Sequence, residues 1–474
     1  MQMYTRVFVA VILISFLLSL NLIDLKVFNR AFQSGTPNSD NYLPTEKKQS
    51  NTLQTTTNKP ITDKAKTPTQ PQLQKNRQET TKENKKEEKD KKTPQKNANN
   101  QANNTNASIS ILETKQRMAE DSLLPQQEYT ALAKMLAAMP IDYEPYKSVY
   151  EDKATKLHYL EFEKAWEGLK KQKLDKMQTW RDEELIDLNQ QQGSTLFYPF
   201  SGPDFLNAYH LFPNCEYYLM FGLERIGELP KKDQMKPPIW ANYLFSVRQA
   251  LSELMQRNYF ITARMSVTLN NPNAVKGVLP LICIFLARTD NEILSIQRVY
   301  LDKQGNATYT HLHDYSKKGL SGLYIVFLNK NKEKAQRLYY FSADLADAAM
   351  PAKKELINFI KAFDNKITLI KSASYLLHTT HFSTIRNLIL DDTFACLQDD
   401  TGVPYSYYVK NNWDVQLYGK YDKPIRDFNY GYQLDLQQRF NTDKTIKPLN
   451  FTFGYHWWTD KSSILLCRKK KRVE

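Results

Sequence analysis

Residues 194–222 read STLFYPFSGPDFLNAYHLFPNCEYYLMFG, and the pattern of this stretch decides the fold of the carboxyl-terminal part of the chain. An apolar run at 196–200 is followed by the turn sequence Ser-Gly-Pro-Asp. Pro203 fixes φ and Asp204 adds negative charge, and both features favour the start of a helix. A second apolar run covers 217–222. The stretch therefore predicts a strand, a turn, a helix and a second strand.

The turn around Ser201 is the first candidate ligand site. Backbone amides that point forward from such a turn can hold an anion. Helix capping is the simpler explanation of Ser201 and Asp204, because it alone accounts for both residue types. A nucleophilic role for Ser201 is disfavoured, since Pro199 and Pro203 stand where a hydrolase elbow has glycines. We keep Ser201 as a candidate ligand-binding residue and Asp204 as a candidate catalytic carboxylate.

The residues that follow this stretch alternate between the patterns of helices and strands. Helices are predicted at 240–258, 351–365, 383–390 and 433–440, and strands at 278–287, 293–301, 320–328, 337–341, 366–377, 405–409, 415–418, 451–458 and 463–466. Hairpins are expected to join the strands at 278–287 and 293–301, and those at 320–328 and 337–341. Such a mixture predicts an α+β domain over 191–474, with helices packed on a mixed, largely antiparallel sheet.

Two segments of different composition precede this domain. Residues 31–110 are rich in Lys, Gln, Thr and Asn and contain almost no large apolar side chain, so they are expected to form a disordered linker. Residues 111–190 carry apolar side chains at three- and four-residue spacing among dense charges, which predicts an arm of amphipathic helices. The apolar positions do not stay in a heptad register, which disfavours a coiled coil.

Residues 1–30 are interpreted as a signal anchor or a signal peptide. Arg6 precedes an apolar run at 7–20, whose length lies between the 7–15 residues of a signal peptide and the roughly 20 residues of a membrane span. No small-residue cleavage motif is evident, so an uncleaved anchor with the main domain outside the cytoplasm, on the periplasmic face, is favoured. Lys26 and Arg30 after the run leave the opposite orientation open.

The positive charge of the chain is concentrated outside the predicted domain. The formal net charge is +14, but residues 41–107 contain 14 Lys or Arg against 7 Asp or Glu, and residues 468–474 contain five against one. Residues 108–467 are left with about +2. A nucleic-acid partner is therefore not expected, because such binders concentrate basic side chains on the folded surface. The expected partners are the membrane and an anionic envelope polymer near the linker.

A second candidate site lies at 398–405. Asp399 and Asp400 are adjacent in a polar turn, and the aromatic residues Tyr405, Trp413 and Tyr421 follow. Carboxylates and aromatic faces together suit a polar, ring-shaped ligand such as a sugar, although a turn cap before core aromatics is the simpler interpretation. If the site is a glycosidase, its second carboxylate has to come from elsewhere, and Asp204 is the first candidate.

No motif in the sequence predicts a cofactor or a metal ion. There is no phosphate loop and no dinucleotide glycine pattern, and the four Cys residues form no C-x-x-C pair, although one or two long-range disulfides stay open. We therefore expect a membrane-tethered, extracytoplasmic protein of the bacterial cell envelope with a binding or scaffolding role. The alternative is an envelope-acting hydrolase that uses Asp204, Asp399 and Asp400 on a glycan or peptide. Whether the protein is an enzyme is left open.

Overall fold

The computed structural model describes residues 120, 123, 126–257, 259, 275–457 and 460–470. The expected membrane segment, the linker and the first residues of the arm lie outside the described residues. Within the described ranges, no helix combines the length and the apolar character that crossing a bilayer requires. The described chain is α+β, with helices packed on a large mixed sheet.

The described helices are numbered in chain order. They are α1 (Gln127–Leu136), α2 (Lys153–Leu169), α3 (Asp175–Glu184), α4 (Phe205–Leu211), α5 (Ile239–Arg257), α6 (Leu279–Arg288), α7 (Lys354–Lys361), α8 (Ser383–Asp392), α9 (Tyr405–Lys410) and α10 (Leu434–Thr442). A π-helical turn, Lys170–Leu174, joins α2 to α3, and single helical turns lie at Lys147–Tyr150 and Ile186–Asn189.

The sheet formed by the described residues has ten strands. They are β1 (Thr195–Tyr198), β2 (Tyr217–Gly222), β3 (Asn291–Leu301), β4 (Ala307–His311), β5 (Leu320–Asn329), β6 (Gln336–Ser342), β7 (Lys366–Ile370), β8 (Ala395–Gln398), β9 (Trp413–Gly419) and β10 (Ser463–Lys469). Their order across the sheet is β4-β3-β5-β6-β2-β1-β7-β8-β10-β9.

The centre of the sheet is parallel and its two flanks are antiparallel. Neighbouring strands run parallel from β6 through β2, β1 and β7 to β8. The other pairings, between β3, β4, β5 and β6 and between β8, β10 and β9, are antiparallel. The predicted mixed sheet is confirmed, and five of its nine pairings are antiparallel. The parallel centre was not predicted, because its β2–β6 and β1–β7 pairings join strands that are far apart in sequence.

Helices cover both faces of the sheet. Along β1, Leu196 and Tyr198 belong to one hydrophobic core, whereas Phe197 between them belongs to the other. The first core contains the buried residues of α1 to α6, and the second contains those of α7 to α10. This alternation follows from the geometry of a strand, in which successive side chains point to opposite faces. Central strands that are buried on both faces read as continuous apolar runs.

Three predicted strands are wrong. Residues 278–287 lie mainly in helix α6, whose residues from Leu279 to Ala287 are all buried. A continuous apolar run does not distinguish a buried helix from a buried strand. Residues 405–409 lie in α9, which starts directly after Pro404. The described part of 451–458 forms turns, with Gly454 in the left-handed region.

The stretch at 194–222 folds as expected. It forms β1, α4 and β2, and the Asp204 side chain caps α4 by accepting a hydrogen bond from the Asn207 amide at 3.2 Å. The arm residues Phe162, Trp166 and Trp180 are buried in the same core as the sheet residues on that face. Leu157 and Leu160 of α2 are exposed.

Candidate functional site

A cavity of about 150 Å³ lies at the carboxyl ends of the central parallel strands. Its walls are the segments that follow four neighbouring strands: 198–204 after β1, 222–224 after β2, 343–345 after β6 and 371–376 after β7. Tyr259 and Phe382 complete the lining. The cavity thus draws on residues from widely separated parts of the chain.

The cavity lies where the direction of the sheet connections reverses. The chain leaves β1 through α4 and adds β2 on one side of it, whereas it leaves β7 through α8 and adds β8 on the opposite side. The two connections therefore diverge and leave a crevice at the carboxyl ends of β1 and β7. Ligands of open α/β sheets bind in such crevices.

A buried ion pair connects the segments after β1 and β7. The Nζ atom of Lys371 lies 2.6 Å from Oδ2 of Asp204, and the two side chains are only 1% and 3% exposed. Tyr198 donates to the same Oδ2 at 3.1 Å, and the Asn207 side chain donates to Oδ1 at 2.8 Å. Burial lowers the pKa of Lys371, whereas Asp204 and Asp399 act in the opposite direction. Asp204 is therefore fully engaged as a cap and as the partner of Lys371.

Ser201 has a structural role in this geometry. Its hydroxyl donates to the carbonyl of Phe221 at 3.0 Å and accepts from the amide of Phe221 at 3.0 Å. The Ser201 amide also donates to the same carbonyl, at 2.9 Å. These contacts fix the turn after β1 to the end of β2. Ser201 lines the cavity as predicted, but its hydroxyl is used within the protein.

The segment after β7 has an unusual backbone. Ser372, Ser374 and Tyr375 adopt left-handed φ values of 54°, 51° and 54°. Such conformations cost on the order of 1–3 kcal/mol for residues other than Gly, and they cluster at ligand sites. The Oγ atom of Ser372 is buried at the cavity wall, and no hydrogen-bond partner is found for it among the described residues. The backbone here is held in place from outside the segment.

Asp399 and its neighbour Thr401 provide much of this support. Asp399 Oδ2 accepts from the Ser372 amide at 2.8 Å, and its Oδ1 accepts from the Thr401 amide at 2.9 Å and from the Thr401 hydroxyl. The Thr401 hydroxyl oxygen in turn accepts from the Ala373 amide at 2.8 Å. Asp399 thus lies behind the segment that lines the cavity, and it supports that segment.

The adjacent carboxyls of Asp399 and Asp400 are both buried. Burial, followed by the neighbouring Asp400, raises the pKa of Asp399 to about 7. Burial also raises the pKa of Asp400 to about 6. Asp400 Oδ2 accepts a hydrogen bond from the hydroxyl of Tyr375. Asp399 therefore contacts the loop backbone, and Asp400 contacts the Tyr375 side chain.

Two of the three predicted aromatic residues, Tyr405 and Tyr421, are linked to Asp400 through Gln433, but none of the three lines the cavity. Tyr421 accepts from the Gln433 amide at 3.0 Å, and the Gln433 side chain bonds both the Tyr405 amide and the Asp400 carbonyl. Trp413 and Tyr421 are each 4% exposed and belong to the second hydrophobic core, with Tyr405 packed against it. A ligand in the cavity would not reach them directly.

Glu224 and Lys371 are site residues that the sequence reasoning missed. Glu224 is 6% exposed and follows β2 by two residues. A Cβ atom on Gly222 would lie 2.6 Å from Glu224 Oε2 and 2.9 Å from Gly202 Cα, so the carboxylate lies where the segments after β1 and β2 approach each other. The sequence signal for Glu224 and for Lys371 was a single charged residue just after an apolar run.

Among the described residues, no group of three or more His, Cys, Asp or Glu side chains is arranged to hold a metal ion. The fold and the cavity define an α+β protein with a mixed sheet and a crevice at the carboxyl ends of its central strands. Comparisons of the chain with protein-family models, with curated proteins and with solved structures find no match.

Proposed function

We propose that this protein is a membrane-tethered binding protein that holds a small polar ligand in the cavity after β1, β2, β6 and β7. The observation that carries this proposal is the strained segment Ser372 to Tyr375, which lines a cavity at the reversal point of the sheet. Strain of this kind persists only where surrounding contacts impose it, and here those contacts come from Asp399, Thr401 and Tyr455.

The same contacts favour binding over hydrolysis. A glycosidase needs one carboxyl to donate a proton and a second carboxyl to attack the sugar or to activate water. Asp204 is paired with Lys371, and both oxygens of Asp399 accept hydrogen bonds from the protein. The feature that favours the alternative hydrolase is the pKa of Asp399, raised to about 7, which suits proton transfer near neutral pH.

Binding is tested by changing the wall of the cavity without changing the core. Leu223 lines the cavity and is 64% exposed, so Leu223→Arg is expected to leave the melting temperature unchanged and to block the ligand. Leu157→Arg is the matched control, because Leu157 is 51% exposed on α2 and is not part of the lining. Calorimetry of the full chain in detergent against nucleosides, sugars and short peptides gives the readout. Binding that survives Leu223→Arg would contradict the site.

The compartment and the tether belong to the same proposal and have separate tests. The apolar run at 7–20 supports anchoring, and the linker composition supports a flexible tether that lies near anionic envelope polymers. An alkaline phosphatase fusion at the carboxyl end is expected to be active, and the protein is expected to stay with membranes after a carbonate wash. Activity from a cytoplasmic reporter alone would reverse the orientation.

A further inference from the structure

We propose that the ligand of this cavity is a nucleoside without phosphate groups, whose ribose hydroxyls are bound by Glu224. This inference rests on the proposed function and names the ligand class of the same site. It is carried by the place of Glu224 in the fold, by the charge of the lining and by the size of the cavity.

The place of Glu224 matches the ribose position of a doubly wound sheet. In chain order the parallel strands are β1, β2, β6, β7 and β8. Their order across the sheet is β6-β2-β1-β7-β8, which corresponds to 3-2-1-4-5. In sheets of this order, an acidic residue about 20 residues after the first turn hydrogen-bonds the ribose hydroxyls. Glu224 follows Gly202 by 22 residues and lies at the end of the second strand.

The charge of the lining disfavours phosphate. Asp204, Glu224 and Asp344 line the cavity together with a single cationic side chain, Lys371, among the described residues. Lys371 is already paired with Asp204. Phosphate-binding turns rely on free backbone amides at a helix start. Here Pro203 has no N–H group, and the Asn207 amide already donates to the Asp204 carboxylate. A neutral or cationic ligand is therefore favoured over an anionic one.

The cavity of about 150 Å³ suits one ring of a ligand and opens to solvent on one side. Cavities of about this size hold a molecule such as benzene. Two partly buried aromatic residues that line the cavity, Phe200 and Phe382, lie edge to face at 5.8 Å and offer apolar surface for a base. The ribose of a nucleoside can thus lie in the cavity against Glu224, with its base extending past this pair toward the open side.

Calorimetry of the full chain in detergent tests the inference with five probes: adenosine, S-adenosylmethionine, 2′-deoxyadenosine, AMP and NAD. Adenosine represents a free nucleoside, and S-adenosylmethionine represents a cationic cofactor that contains a nucleoside. Whichever of the two binds more tightly shows which kind of molecule supplies the nucleoside. AMP, NAD and 2′-deoxyadenosine are each expected to bind at least tenfold more weakly than adenosine. Glu224→Gln is expected to weaken adenosine by about 10- to 100-fold, since a hydrogen bond to a charged group is lost. Glu333→Gln is the control, because Glu333 is exposed and does not line the cavity.

The outcomes separate the two proposals. AMP or 2′-deoxyadenosine binding as tightly as adenosine would overturn the nucleoside inference even if Glu224→Gln does not fold. A sugar or peptide that binds the wild-type chain, is blocked by Leu223→Arg and is unaffected by Glu224→Gln would overturn the nucleoside inference and leave the binding function intact. Adenosine binding that Leu223→Arg does not affect would place the nucleoside elsewhere and would overturn both.

Discussion

Replacement of Asp400 by Asn is expected to stabilise the protein more at pH 8 than at pH 5. Burial raises the pKa of Asp400 to about 6 from an ordinary value of 3.8. A carboxyl whose pKa is raised on folding contributes stability below its unfolded pKa, and that contribution is lost as the pH rises through the folded pKa. At pH 8 the folded protein therefore carries a buried charge that Asn removes. The Asn side-chain oxygen can still accept from Tyr375, as Asp400 does.

The size of the effect follows from the same shift. The interval from pH 5 to the folded pKa of about 6 is one pH unit, which corresponds to on the order of 1 kcal/mol. The change in unfolding free energy caused by Asp400→Asn is thus expected to be more favourable at pH 8 than at pH 5 by on the order of 1 kcal/mol. Loss of the Asp400 charge also removes a cause of the raised pKa of Asp399, which adds in the same direction.

Urea denaturation at the two pH values measures the effect, with an unchanged slope confirming that only stability has changed. Asp399→Asn is the matched comparison in the adjacent residue. Both oxygens of Asp399 accept hydrogen bonds from N–H or O–H donors, and an amide has only one accepting oxygen, so this variant is expected to be destabilised by about 1–3 kcal/mol. An Asp400→Asn effect that is equal at both pH values would refute a raised pKa at this position.

Three further predictions address the ion pair, the thiols and the amino-terminal residues. Lys371→Met is expected to destabilise the fold by about 3–5 kcal/mol because Asp204 is left charged and buried, and Asp204→Asn in the same chain should recover part of this loss in urea denaturation; no recovery would contradict the pairing. All four Cys residues are free and buried, and burial raises the pKa of Cys215 and Cys396 to about 12, so a thiol reagent at pH 8 should label none of the four in the native protein and all of them in urea. Rapid labelling of the native protein would refute this burial. Limited proteolysis is expected to leave a stable fragment that begins between residues 108 and 126, whereas a first cut within 195–222 would contradict the proposed core.

The local elements of this fold were predictable, but the sheet centre was not. Pro203 and Asp204 signal the start of α4 within a few residues, so the unit of β1, α4 and β2 could be predicted from the sequence. Helix α6 was missed because its own residues are apolar on every face, so the sequence shows no helical periodicity there. The pairing of β1 with β7 depends on residues about 170 positions apart, and no short pattern encodes it.

The candidate site was predicted in part for a similar reason. Asp204 and Ser201 were found because capping and turn chemistry are local, and both line the cavity. Asp399 and Asp400 were found as an acidic pair, but their contact with the segment after β7 depends on the parallel order of the strands. Lys371 and Glu224 could not be singled out, since isolated charged residues after apolar runs are common at strand ends.

The distance along the chain between β1 and β7 has a consequence for synthesis and export. β1 and β2 can pair early, but β1 acquires its second neighbour only after residues 366–368 have been made. The Asp399 contact that supports the cavity wall forms later still. Non-local pairing of this kind is slow to form. If the chain is exported as proposed, its sheet centre would stay incomplete until most of its length had crossed the membrane. The cavity would then be complete only near the end of translocation.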